Sequence, residues 1–491
     1  MFTDELRHKV WNEIRQRDLR AVGKLLPDEV FLGAAELAGV RLGRSALSLV
    51  QLVWLGIASA IDRTRSFASI LQLTVKLLDD NGTWHPRALS KSKRKGRKTA
   101  PGRRTTSKHS PRGTLLTRIS EEAFVQARAR MPLSFWTALL LVLGQRFEEQ
   151  HAAWVRWKEF RLLALDGTTI NLPAWRGLKT HFGVAKNAKS KGRTQARLVM
   201  LQLPLVRMPW RYAVGPIGQG ERTLAAELLD HLSPGDLVLM DRGFWSYGLF
   251  HQIQGRGAHF AIRLPAGIRL HTLRRLGPRD RLVRWNMPTG PRWRGSGLPA
   301  HLDLRVVDYK IRGFRPSAVV TNVKSPRKVS REDWVRLATK TEAGARRLEV
   351  GLYHRRWEIE TTFSELKVTQ GLEGSLRSRR PPGVYYEIAG HVLLYLLVRW
   401  LMVEAAAAAG LDPLRLSFKA ALEELYDMRH ALITATPQRV SHVLLPRLLE
   451  RFAQHTVPWR PGRHCPRPHD TKVKNCGRGK RKLPHKLKQA A

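Results

Sequence analysis

Tyr353-His-Arg-Arg356-Trp-Glu-Ile-Glu360-Thr-Thr-Phe-Ser-Glu-Leu-Lys367 contains no helix breaker. At about 100° per residue, Tyr353, Arg356, Glu360 and Lys367 fall within a sector roughly 60° wide, so these polar groups share one stripe. Leu352, Ile359, Phe363 and Leu366 form the adjoining apolar face that docks such a helix on a core. Glu358 and Glu365 project to the far side. The geometry therefore singles out Glu360 as the carboxylate at the core's edge, among cations. The plainer reading of this helix alone is a solvated face with an Arg356–Glu360 i,i+4 pair, a matter of about 0.3 kcal/mol.

Two further acids shift the balance. Arg161-Leu-Leu-Ala-Leu-Asp166-Gly-Thr-Thr and Asp236-Leu-Val-Leu-Met-Asp241-Arg-Gly-Phe each read as a short buried strand ending in an acid. An uninterrupted apolar run is what a strand covered on both faces requires. An Asp at its carboxyl end emerges where open sheets keep their chemistry. Either Asp alone also suits the first position of a turn; two such strands followed by the polar helix are harder to explain that way.

Together these residues resemble the DDE transposases of the IS4 family, whose mark is a Tyr-(2)-Arg-(3)-Glu-(6)-Lys signature after two strand-end aspartates. The chain carries that spacing at Tyr353, Arg356, Glu360 and Lys367, and Asp166-Gly-Thr, Gln195-Ala-Arg197 and Asp241-Arg-Gly-Phe resemble the family's other motifs. The likeness covers roughly residues 160 to 410. It implies an enzyme of an insertion sequence that binds terminal inverted repeats, cleaves DNA and transfers strands by a cut-and-paste route. Pairing two ends implies a homodimer when assembled on DNA. A nuclease on the same fold that cuts without joining, or a catalytically silent DNA-binding relative, are the alternatives.

Composition points the same way. The 491 residues include 86 Lys plus Arg against 40 Asp plus Glu, a net charge of +46, with 43% hydrophobic residues and 15 Trp. A polyanionic partner explains such an excess, because each neutralised phosphate releases counterions, and indoles interleaved with Arg favour nucleic acid over a membrane surface. Only two Cys occur, Cys465 and Cys476, so no disulfide framework is expected and a reducing cytoplasm fits, with the protein associated with the nucleoid. No secretory signal is apparent. The apolar stretches at Ala46–Ile61 and Val392–Val398 fall short of a membrane span.

The order of elements predicts an α/β chain: an RNase H-like catalytic core with a mostly β insertion, flanked by helical N- and C-terminal regions. Residues 1–80 read as a helical, DNA-end-binding region, 81–114 as a basic flexible linker and 115–159 as a helical connector, with one helical segment from about Glu121 to Glu149. The first part of the core occupies 160–265. Short alternating strands such as Leu302–Val307 and Ser317–Thr321 make 266–340 the β insertion, whose Arg284-Trp285 and Arg292-Trp293-Arg294 are candidates for base stacking or for plain packing. The second part of the core, with the Glu360 helix, spans 341–410. A helical region follows at 411–459, then a basic tail at 460–491. His464, Cys465, His469 and Cys476 lack the paired spacing of strong zinc motifs.

Asp166, Asp241 and Glu360 are the expected catalytic metal ligands. Carboxylates gathered at one sheet edge repel one another unless cations neutralise them, and Mg²⁺, with Mn²⁺ as a substitute, suits carboxylate and phosphate oxygens. Two ions about 4 Å apart can clamp an in-line phosphoryl displacement. Arg356 and Lys367 are expected to hold DNA phosphates, Tyr353 to do so through its hydroxyl, and Trp357 to belong to the core. The DNA in question is double-stranded: the terminal repeats and the target.

Overall fold

In the computed structural model, Phe160–Asn171 forms the first long strand, β1. Gln195–Leu203 (β2) and Met208–Pro216 (β3) follow as an antiparallel meander beside it. The helix Glu221–Leu229 leads to β4 (Asp236–Met240), and the helix Tyr247–Gly255 leads to β5 (His259–Arg263). β4 pairs parallel with β1, and β5 parallel with β4, which is why each needs a crossover rather than a turn. The order β3-β2-β1-β4-β5 is the RNase H-like arrangement. The structure describes residues 25–40, 49–62, 69–70, 121–185, 192–290, 293, 295–310, 316–335, 339–340, 346–347, 351–435 and 437–458. The basic segment at 81–114 and the His464–Cys476 cluster lie outside the described residues.

The insertion continues the same sheet. Its strands His271–Gly277 (β6), Asp280–Asn286 (β7), His301–Tyr309 (β8) and Ser317–Thr321 (β9) add in the order β9-β8-β7-β6, with β9 antiparallel to β5. A buried ion pair ties these strands together. The Arg305 guanidinium, fully enclosed, makes paired bonds of 2.8 and 2.6 Å to the Asp280 carboxylate and a third of 2.6 Å to the Val329 carbonyl. Trp285 is buried against Trp245 and Tyr247, and Trp293 packs on Tyr247. Both indoles serve packing; Arg292 and Arg294 lie outside the described residues.

A helix from Pro381 to Ala409 backs the sheet. Pro381 and Pro382 occupy its first turn, where a missing N–H costs nothing, and Gly410 ends it with φ 64°. By length and composition it could cross a membrane, yet 78% of its most apolar window is buried inside the protein. It crosses the helix Leu49–Ile61 at glycines: a Cβ on Gly390 would lie 2.7 Å from the Gly56 carbonyl oxygen, so backbone meets backbone there. The expected helical segment before the core is two helices, Glu121–Ala129 and Leu133–Gln150. Pro132 divides them, since its ring excludes a preceding helical turn.

Candidate active site

Asp166 does not end its strand. β1 runs on to Asn171, paired with β2 from Asp166↔Met200 to Asn171↔Gln195, because Thr168, Thr169 and Ile170 are β-branched and suit the pleat. What stops near Asp166 is the neighbour: the last parallel pair is Leu165↔Met240, and Asp241 follows at once. The two aspartates therefore emerge side by side from adjacent parallel strands, at the sheet's carboxyl edge.

The run that carries the third acid changes pitch twice. Leu352–Trp357 is a 3₁₀ helix, Glu358–Ser364 is α-helical and Glu365–Thr369 is a π-helical turn. A single α-helix was expected; the run instead starts with a tighter turn than α and ends with a wider one. Leu352, Ile359, Phe363 and Leu366 are buried as the apolar face. The polar stripe is also turned inward, onto the sheet edge. The Tyr353 hydroxyl donates to the Met240 carbonyl at 3.0 Å and accepts from the Arg263 amide at 3.1 Å. Arg356 donates to Asp166 at 3.4 Å and to Glu360 at 3.2 Å. The Lys367 ammonium bonds the Thr169 carbonyl at 2.8 Å and Thr168 Oγ1 at 3.3 Å, and pairs with Glu373 at 3.1 Å.

Burial pushes the Asp166 carboxyl up to about 6. The Gly167 N–H and the Arg356 charge oppose that rise, and the nearby Asp241 and Glu360 charges add to it. Burial acts to lower the Arg356 guanidinium, but Tyr353 and then Asp241, Asp166 and Glu360 raise it above its usual value. Burial likewise raises the Tyr353 phenol, so it stays protonated. Tyr353 is only 8% exposed, with its hydroxyl bonded to two backbones; the phosphate contact expected of it is replaced by an anchor on the carbonyl preceding Asp241.

Two readings change on this side of the sheet. Trp357, expected in the core, is 41% exposed, with the Arg356 guanidinium 4.7 Å from its ring centroid. Glu358 and Glu365, on the far side of the helix, meet a second interface. Arg207, in the turn between β2 and β3, pairs with Glu358 at 2.7 Å and Glu365 at 3.4 Å. Glu365 also binds Arg399 and accepts from the Tyr395 hydroxyl at 2.6 Å. Although burial acts to raise Glu365, the Arg399 and Arg207 charges hold it below the usual carboxylate range. The signal was present in the sequence as Arg399, a cation inside an apolar helix that had to find an anion.

Asp166, Asp241 and Glu360 offer only hard carboxylate oxygens, the donors that Mg²⁺ and Mn²⁺ take. Among the described residues, no three His, Cys, Asp or Glu groups are drawn to one point. Arg356 stands between Asp166 and Glu360 and supplies the positive charge the acids require. The donor chemistry fits a divalent cation that shares or takes over that duty.

Residues 157–397 match a family model described as a transposase DDE domain, which makes the sheet, its insertion and the Glu360 helix one DDE transposase core. The chain is 27% identical over 334 residues to the transposase InsG for insertion sequence element IS4 of Escherichia coli (strain K12), covering 66% of this chain and 71% of that protein. The two likenesses together support an IS4-family DDE transposase. Among solved structures, a piggyBac transposase synaptic complex with hairpin DNA aligns with 90% of this chain and 86% of that one, at 10% identity and a TM-score of 0.37.

Proposed function

We propose that this insertion-sequence transposase binds the terminal inverted repeats of its element as a homodimer assembled on DNA, cuts at the ends and joins the freed 3′-hydroxyls to target DNA. Asp166, Asp241 and Glu360 hold two Mg²⁺ ions in this reading, with Mn²⁺ as a substitute. The observation that supports it most is the pairing of Arg356 with Asp166 at 3.4 Å and with Glu360 at 3.2 Å, beside Asp241 at the end of the adjacent parallel strand. Bound divalent ions would supply the Lewis acidity for in-line phosphoryl displacement.

The protein's own part is to hold charge and position. Asp166 must lose its proton to serve as a ligand. Arg356, once relieved of the carboxylates, turns its guanidinium to a phosphate beside the reacting one, a task suited to its planar fork. Lys367 meets a second phosphate from its perch on β1. Tyr353 fixes the Met240 carbonyl and thereby the strand end that presents Asp241. Residues 1–80 and the basic segment 81–114 contribute end binding. The working compartment is the cytoplasm, at the nucleoid.

Asp241→Asn should abolish Mg²⁺-dependent cleavage of end DNA and leave binding nearly intact; undiminished cutting removes Asp241 from the site. Pre-nicked ends supplied with a target plasmid separate the transposase from a nuclease, because only strand transfer yields joined products.

A further inference from the structure

Trp175 stands beyond the far end of the strand that carries Asp166. β1 extends five residues past Asp166 to Asn171, about 17 Å at a strand's rise per residue. The chain then turns into the helix Arg176–Phe182. Polar groups line the way between: Lys367 rests on Thr168 and Thr169, and Glu373 joins Lys367, at 3.1 Å, to the Asn171 amide, at 3.2 Å.

At the end of this line Trp175 keeps 44% of its surface exposed while the Arg379 guanidinium lies 4.5 Å from its ring centroid. Arg176, Lys179, Arg379 and Arg380 are all exposed, and none has a carboxylate partner among the described residues. The platform beneath them is held from both sides. Leu178 and Phe182 are fully buried, and His181 Nε2 meets the Tyr385 hydroxyl at 3.0 Å. The Glu387 carboxylate accepts from the Arg377 and Ser378 amides at 2.8 Å each, fixing the loop that presents Arg379. An indole displayed on a fixed support among uncompensated cations has the makeup of a stacking platform for a nucleic-acid strand.

Resting on the transposase reading above, we propose that Trp175 and Arg379 form a second DNA-holding site. There an unstacked base of the strand leaving the catalytic carboxylates lies on the indole, and the adjoining phosphates meet Arg379, Arg176, Lys179 and Arg380. The strand comes from one side of the scissile phosphate, either the element's end or the flanking donor DNA.

The test is binding of the full chain to a duplex carrying the terminal repeat and its flank, measured by fluorescence anisotropy without divalent metal. Trp175→Ala should weaken binding about 5- to 150-fold, the range for loss of one base–aromatic stack, and Trp175→Phe should restore most of it. Shortening the duplex on the contacted side should bring wild type and Trp175→Ala to equal affinity; shortening the other side should preserve their ratio. Equal affinity of wild type and Trp175→Ala for the full duplex overturns the proposal, as does a ratio that survives both truncations. Asp166→Asn keeps the two questions apart. It should lose cleavage yet retain the Trp175 effect on binding, so failure of the catalytic reading and failure of this site are read in different assays.

Discussion

Replacing Asp166 with Asn should stabilise the metal-free protein while destroying its activity. The folded carboxyl titrates at about 6 against an ordinary value of 3.8, chiefly because burial disfavours its charge. That difference is roughly a hundredfold in proton affinity, or ~3 kcal/mol. Because the folded value lies above the unfolded one, Asp166 supports the fold only while protonated. Its contribution is complete below about pH 4 and is lost as pH rises through about 6. Asn imitates the protonated form at every pH. In EDTA at pH 7.5 the variant should therefore unfold at higher urea than wild type, by the equivalent of ~3 kcal/mol, and the two should coincide near pH 4. The side chain is 18% exposed, so solvent screening removes little of the effect. Millimolar Mg²⁺ should raise the wild-type midpoint by mass action and leave the variant unmoved. A variant that is equally or less stable than wild type at pH 7.5 refutes the account of Asp166 as an acid whose burial outweighs its Arg356 and Gly167 partners.

Glu365 behaves in the opposite sense: its folded value is depressed, so its stabilisation is present above about pH 4.5 and is lost as pH falls through that folded value. Glu365→Ala leaves Arg399, 1% exposed, without its anion, and should cost about 3–5 kcal/mol in urea unfolding at pH 7; a change under about 1 kcal/mol would show that the pair does not hold the Glu360 helix. Lys367→Ala should weaken end-DNA binding and lower the magnitude of its salt slope by about one; an unchanged slope measured between low and moderate salt removes the phosphate role.

Much of the core was readable because its signals are local. The runs before Asp166 and Asp241 are apolar without alternation, which only a doubly covered strand explains. The Leu352-Ile359-Phe363-Leu366 face follows from helical period alone, and all four are buried.

Other features depended on partners far away in the chain. Nothing near Asp166 shows that β1 continues, since pairing with Gln195–Met200 is what extends it. Trp357 reads as core until the fold leaves its side uncovered. The insertion's attachment through β9 to β5 depends on which sheet edge lies free, and Glu365 meets Arg399 across 34 positions.

The amino-acid order by itself determined the apolar strand runs before Asp166 and Asp241, the apolar face of the Glu360 helix and the cationic character of the chain, because periodicity and charge belong to neighbouring residues. Tertiary structure alone decided that the polar stripe faces the sheet edge, that Arg356 sits among the carboxylates and that Tyr353 is spent on Met240. Those outcomes depend on which buried polar groups must satisfy one another, and that demand exists only once distant segments exclude water together.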